Sequence, residues 1–248
     1  MHQASTYLNG EFGVGASFTP FTASQAQSLR QALRDDARSY LYSGAVSLAE
    51  AVNGADGYAF SWSTVKAYYA TFYALRALLA IEGWAILYRG TKPFVAEAQT
   101  GSVVSKTKGN THEVVLELFA TKFPSHPLLS QEIASENPLE WIKHRREEAN
   151  YTRARFVDPE IPQHFREIKR LGVRRALGAY VRDSYYAFDA DHAILAFPLA
   201  TLYTSLNRLQ VVTGTHLIPD DVRFICHLCR DKDGPLTPFS SIFGRQLP

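Results

Sequence analysis

Residues 61–83 read SWSTVKAYYATFYALRALLAIEG, and this run decides the fold. Tyr68, Tyr69, Phe72, Tyr73, Leu75, Leu78, Leu79 and Ile81 fall within it, with alanines in many of the gaps. Wound as a helix near Ser63 to Glu82, these side chains cover most of the circumference. A helix apolar nearly all round belongs at the centre of a bundle. Lys66 and Arg76 are the exceptions on it. Its most apolar part, Ala67 to Ile81, is interrupted by Arg76 and is too short and too polar to span a bilayer, which takes about 20 apolar residues.

Upstream, Thr22 opens a helix with Gln25 three residues on, the pattern of a capping box. Ala26, Leu29, Leu33, Ala37, Tyr40, Gly44 and Leu48 then recur at steps of three or four, one apolar stripe along a helix expected to stop at Asn53-Gly54. Residues 1–21, rich in Gly, Ser, Thr and Phe, lack that period and read as an arm or a small extended element.

Downstream, Gly83, Gly90, Pro93, Gly101 and Gly109 make residues 84–110 a long loop with short extended pieces, and no convincing alternating β-run occurs. Connections of that length are often functional. Thr111 to Phe123 fits a third helix. Asn137-Pro138 is an N-cap followed by proline at the first helical position. It starts a fourth helix carrying Leu139, Trp141, Ile142 and Ala149, which ends before Asp158-Pro159. Further helices are expected over 163–188, over 190–213 with Pro198 kinking or splitting it, and near Asp220 to Arg230. Helical segments without strand alternation predict an all-α fold with an N-terminal arm (1–21), a core bundle (22–157) and a C-terminal helical extension and tail (158–248).

The central run resembles the core helix of HEPN domains, in which paired aromatics precede an Arg-Ala-Leu-Leu stretch. LEWIKHRREEANY, Leu139 to Tyr151, is similar to the last core helix of that family. The resemblance covers residues 22–157 and implies a HEPN-like four-helix up-and-down bundle, commonly a homodimer paired through its last core helices. Many HEPN proteins are metal-independent ribonucleases of phage-defence, CRISPR or toxin–antitoxin systems. In those, an Arg and a His four to six residues later act on the phosphate and the ribose 2′-hydroxyl. Here Arg145 and Arg146 are present, but Asn150, Tyr151 and Thr152 stand where the histidine is expected, and His144 precedes both arginines. A neutral-pH general base is most easily a histidine, whereas tyrosine titrates near ~10. The resemblance therefore implies a degenerate site of Arg145, Arg146, Asn150 and Tyr151. Other members are non-catalytic, so a dimerising subunit that docks on an enzymatic partner encoded nearby is the alternative.

Charge adds a hint of its own. From Lys143 to Arg182 there are eleven Lys or Arg residues against five Asp or Glu, leaving 15 and 19 of the chain's 26 and 24 elsewhere. A segment at +6 within a chain at +2 is the footprint of a phosphate-binding face. Lys143, Arg153, Arg155, Arg166, Lys169, Arg170, Arg174 and Arg175 are its candidate contacts with RNA or another nucleic acid, and Tyr180, Tyr185 and Tyr186 its candidate stacking surfaces. A solvated helix face paired with Glu147, Glu148, Glu160 and Glu167 explains the same charges, as does contact with an acidic protein. Arg76 is expected to pair with Glu82 or a loop carboxylate, or to aim into a cleft beside Arg145 or Arg146.

Cys226 and Cys229 are the only cysteines. They exclude a disulfide framework, fit a reducing compartment and lack the second pair that a zinc site needs. Together with an N-terminus without a basic stretch and apolar run, this predicts a cytoplasmic protein. Gly13-Val14-Gly15 lacks the strand–loop–helix setting of a nucleotide motif. Ser–His–Asp and HExxH patterns are absent, so no cofactor and no metal is expected. His112, beside Lys106 and Lys108, sits where a loop would close over a phosphate, though a helix cap and solvated lysines account for that sequence as well.

Overall fold

The computed structural model describes residues 2–12, 18–152, 154–214, 217–229, 234–239 and 242. Helix α2, Ala23–Asp56, begins with both halves of the Thr22–Gln25 capping box in place, and every residue of the stripe from Ala26 to Leu48 is buried. It runs past the expected stop at Gly54. A side chain there would press within 3.4 Å of Ala59 O and Ser63 Cβ, so Gly54 admits the start of the next helix rather than ending its own.

Helix α3, Phe60–Ile81, is the axis of the molecule. It packs against α2, against α4 (Thr111–Lys122), α5 (Pro138–Tyr151) and α8 (Ala193–Thr213), and against strand β1 (Trp84–Arg89). Phe72 and Leu79 are buried, and Tyr69 is partly so. The four helices of the expected bundle do meet at α3, yet α8 lies along α3 more extensively than α4 or α5 does. Both α8 and α2 come close to α3: Ser205 Oγ of α8 donates to Ala74 O at 3.0 Å, and Gly44 of α2 lies where a Cβ would be 3.4 Å from Ala70 O. Helix α8 continues through Pro198, which is buried within it, so the expected split is not there. The expected helix over 163–188 is instead broken. Gly172, at φ 86°, separates α6 (Gln163–Leu171) from α7 (Val173–Tyr180), and a 3₁₀ turn follows at Ser184–Phe188. Helix α9 spans Pro219–Leu228.

Two regions correct the sequence reading. Within the segment expected as an arm, Gln3–Phe12 form helix α1, which buries Ala4 and Leu8. Its first turn is capped from α2, where the buried Asp36 accepts from Gln3 N at 2.7 Å and Ala4 N at 3.0 Å. The expected loop after Gly83 holds a small antiparallel sheet, β1 with β2 (Lys92–Glu97) and β3 (Ser105–Lys106), in the order β1-β2-β3. Consecutive Ala85, Ile86 and Leu87 are all buried, which erases the alternation that marks a strand in sequence. The protein is thus mostly helical with one three-stranded sheet. Among the described residues no helix is long and apolar enough to cross a membrane.

Candidate nucleic-acid interface

Helix α5 is positioned by Asn137, whose side chain caps Leu139 N at 2.9 Å, and by Leu139, Trp141 and Ile142, all buried. Trp141 and Ile142, on the helix expected to form a dimer interface, therefore belong to the core of the single chain. Successive helical residues diverge by roughly 100°, so Arg145 and Arg146 reach different surroundings.

Arg146 lies over the ring of Tyr68 at 5.1 Å. Tyr68 is fully buried on α3, and its hydroxyl meets His112 Nδ1 at 3.0 Å. His112, in the first turn of α4, sits among the rings of Tyr68, Tyr69 and Phe72, with centroids at 5.5, 5.6 and 4.6 Å. Burial, then the positive charges of Arg146 and Arg76, holds its pKa below the ordinary histidine value. Burial likewise raises the Tyr68 phenol, against the pull of Arg146. The result is a neutral imidazole beside a guanidinium. Arg76 stands over the Tyr40 ring at 4.6 Å, and the expected partner Glu82 instead pairs with Arg208 of α8.

Arg145 turns the other way, paired with Glu148 at 3.0 Å and 5.7 Å from the Trp141 ring. It lines a cleft of about 460 Å³ together with Arg155, Arg166, Thr64 and His164, between the end of α5 and the starts of α3 and α6. Glu148 and Glu160 line it too, so three guanidiniums face two carboxylates. Arg155 and Arg166 are exposed and make no ion pair among the described residues. His164 Nε2 lies 3.5 Å from Thr64 Oγ1, and burial, with Arg145 nearby, pushes its pKa down to about 4. Asp158 caps the first turn of α3, accepting from Ser61 N at 3.1 Å, and so holds the cleft wall in place.

The remaining candidates scatter. Lys143 pairs with Glu140 at 2.5 Å, and that bond raises its pKa. Asn150 is partly buried on α5. Tyr151 ends α5, with its side chain outside the described residues, as is Arg153. Lys169 donates to Asp56 O at 2.9 Å and rides the Tyr58 ring at 4.0 Å, which ties α6 to the end of α2. Arg170 is engaged by Glu167, Nε to Oε2 at 2.7 Å. Arg174 and Arg175 line a second, more open depression of about 610 Å³ with Arg182 and Asp56. Of the expected stacking tyrosines, Tyr180 is buried and bonded to His192 Nδ1 at 2.7 Å, while Tyr185 is exposed. Cys229 is buried and its thiol raised to about 12 by burial; among the described residues no three His, Cys, Asp or Glu side chains gather as metal ligands.

Sequence reading missed Trp62, Phe156, Thr64 and His164. Trp62 is the one exposed residue of α3, and it meets Phe156, which lines the cleft, edge to face at 5.8 Å. A tryptophan at the single solvated position of a buried helix is visible only once the faces of that helix are known. No protein-family model, curated protein or solved structure matches the chain.

Proposed function

We propose that this protein binds RNA through the cleft at the end of α5, with Arg145, Arg155 and Arg166 holding backbone phosphates. The single observation that carries this reading is the convergence of those three guanidiniums, from separate segments of the +6 stretch, on one solvent-open cleft, two of them without an ion pair among the described residues. Guanidiniums grip phosphate through paired donors and stay charged at any working pH. The likeness of α3 and α5 to HEPN helices points to RNA over other polyanions. Fluorescence anisotropy with a labelled RNA tests it. Arg155→Ala with Arg166→Ala should weaken binding and flatten the plot of log affinity against log salt by roughly 0.7 per lost contact on a single strand. Unchanged affinity in the double variant overturns the reading.

A second reading, cleavage with His112 in the place of the histidine that α5 lacks, is favoured by one observation: His112, from a helix remote in sequence, shares Tyr68 with Arg146. In such a reaction neutral His112 takes the proton of a ribose 2′-hydroxyl as its oxygen attacks phosphorus. The bond from phosphorus to the 5′-oxygen breaks, leaving a 2′,3′-cyclic phosphate, that oxygen takes a proton from water while His112 returns its own to solvent, and Arg146 offsets the charge on the non-bridging oxygens. Labelled RNA incubated in excess chelator should then be cut by the wild type and left whole by His112→Ala. No cutting by the wild type removes this reading and leaves the binding one standing.

A further inference from the structure

Helix α3 hides twenty-one of its 22 residues wholly or partly and leaves Trp62 at 53% exposure. Phe156 is exposed to 44%. Large aromatic rings left to water next to a polar cleft mark a place where something else completes the burial. Their planes cross at 70°, so the edge of one ring meets a face of the other and the two are not stacked face on face. Phe156 follows Arg155 directly in the chain, and both line the cleft that Arg145 and Arg166 also enter. Apolar flat surface and guanidinium charge are thus offered side by side, within one residue of sequence.

We propose that Trp62 and Phe156 form a stacking subsite for one unpaired nucleobase, whose phosphates lie on Arg155 and Arg166, so that the ligand is single-stranded RNA. This rests on the reading of the cleft as an RNA seat and narrows it. A base inside a duplex has both faces covered by its neighbours and is not free to lie on these rings. An unpaired base has its π-face free, and stacking of this kind tolerates any sequence. The arrangement therefore selects for strandedness and leaves sequence largely unread.

The experiment compares three probes: a short fluorescein-labelled single-stranded RNA, the same RNA annealed to its complement, and inorganic polyphosphate, which carries charge but no base. Wild type should prefer the single strand, and binding should quench Trp62, the most exposed of the three tryptophans. Trp62→Leu should weaken single-strand binding by roughly 5- to 150-fold, the span expected for one lost base stack, with polyphosphate binding unchanged. Trp62→Tyr should restore most of the loss, since a tyrosine ring also stacks. Equal affinity of wild type for single strand and duplex, with Trp62→Leu indistinguishable from wild type, overturns the subsite while the arginine seat survives. Loss of polyphosphate and RNA binding together in Trp62→Leu overturns it too, as a structural defect. If no probe binds even to wild type, the RNA seat itself falls. Capture of a protein partner that is lost in Trp62→Leu, without any RNA binding, assigns the rings to protein docking and overturns the proposal.

Discussion

Arg145 and Arg146 are neighbours of identical chemistry, and the two regions they enter share almost nothing. On the Arg146 side, rings from α3 close over His112 and the guanidinium lies on a buried tyrosine. Tyr68 and Phe72 there are buried and belong to the core, while His112 and Arg146 are half-buried against them. On the Arg145 side the walls come from α3, α5, α6 and the segment joining α5 to α6, and Arg155 and Arg166 stand in solvent. In the first region the guanidinium rests on a ring, whereas in the second Arg155 and Arg166 extend from the cleft wall into water. The density of arginines along a chain therefore says little until the side of the helix each one faces is known.

The largest expected break between the two regions is in stability. Tyr68→Ala empties a fully buried site between α3, α4 and α5, and should lower the unfolding free energy by about 3–5 kcal/mol. Urea titration measures it; a loss under ~1 kcal/mol would mean that the Arg146 side is not core after all. The next effect belongs to the cleft. His164 in the folded chain titrates at about 4, below the 6.5 of an unfolded histidine. The unfolded state therefore takes up the proton first as pH falls. The stability this group contributes is whole above pH ~6.5 and drains away toward pH ~4, by at most on the order of 3 kcal/mol. His112, also lowered, acts in the same direction. Thermal melts across that range should show a shallower decline for His164→Gln than for wild type, and identical profiles would place the acid sensitivity elsewhere. The smallest effect is the counterpart of the first: Arg166→Ala, exposed and without an ion pair among the described residues, should stay within ~0.5 kcal/mol of wild type in the same titration.

The central position of α3 was legible from Ser61 to Gly83, because apolar residues at every angle of a helix admit one placement. So were the caps at Thr22 and Asn137, whose partners lie within three residues. What sequence left hidden was set by distant partners. Helix α1 takes its cap from Asp36, β1 is buried along Ala85, Ile86 and Leu87, and α8 finds α3 across more than a hundred residues through Ser205 and Ala74. The site divides the same way. The basic stretch was plain from composition, but Lys169 is spent on Asp56 and Arg170 on Glu167, while Arg155 and Arg166 are left to the cleft. His112 and Arg146 meet only because α4 and α5 both lie on Tyr68.

The cap that Asp36 gives to Gln3 and Ala4 has a consequence for synthesis. A ten-residue helix is marginal in water on its own, and here the carboxylate that satisfies its first amides is translated some thirty residues later. Chain leaving the ribosome in order carries the α1 segment through the exit tunnel before its capping group exists. This segment, made before α2, must wait for α2 to emerge and wind before it can settle. The first turn of α1 is then ordered backwards along the chain, from α2 toward residues made before it, and a nascent chain stalled before Asp36 has emerged should present those residues unwound to whatever binds extended polypeptide.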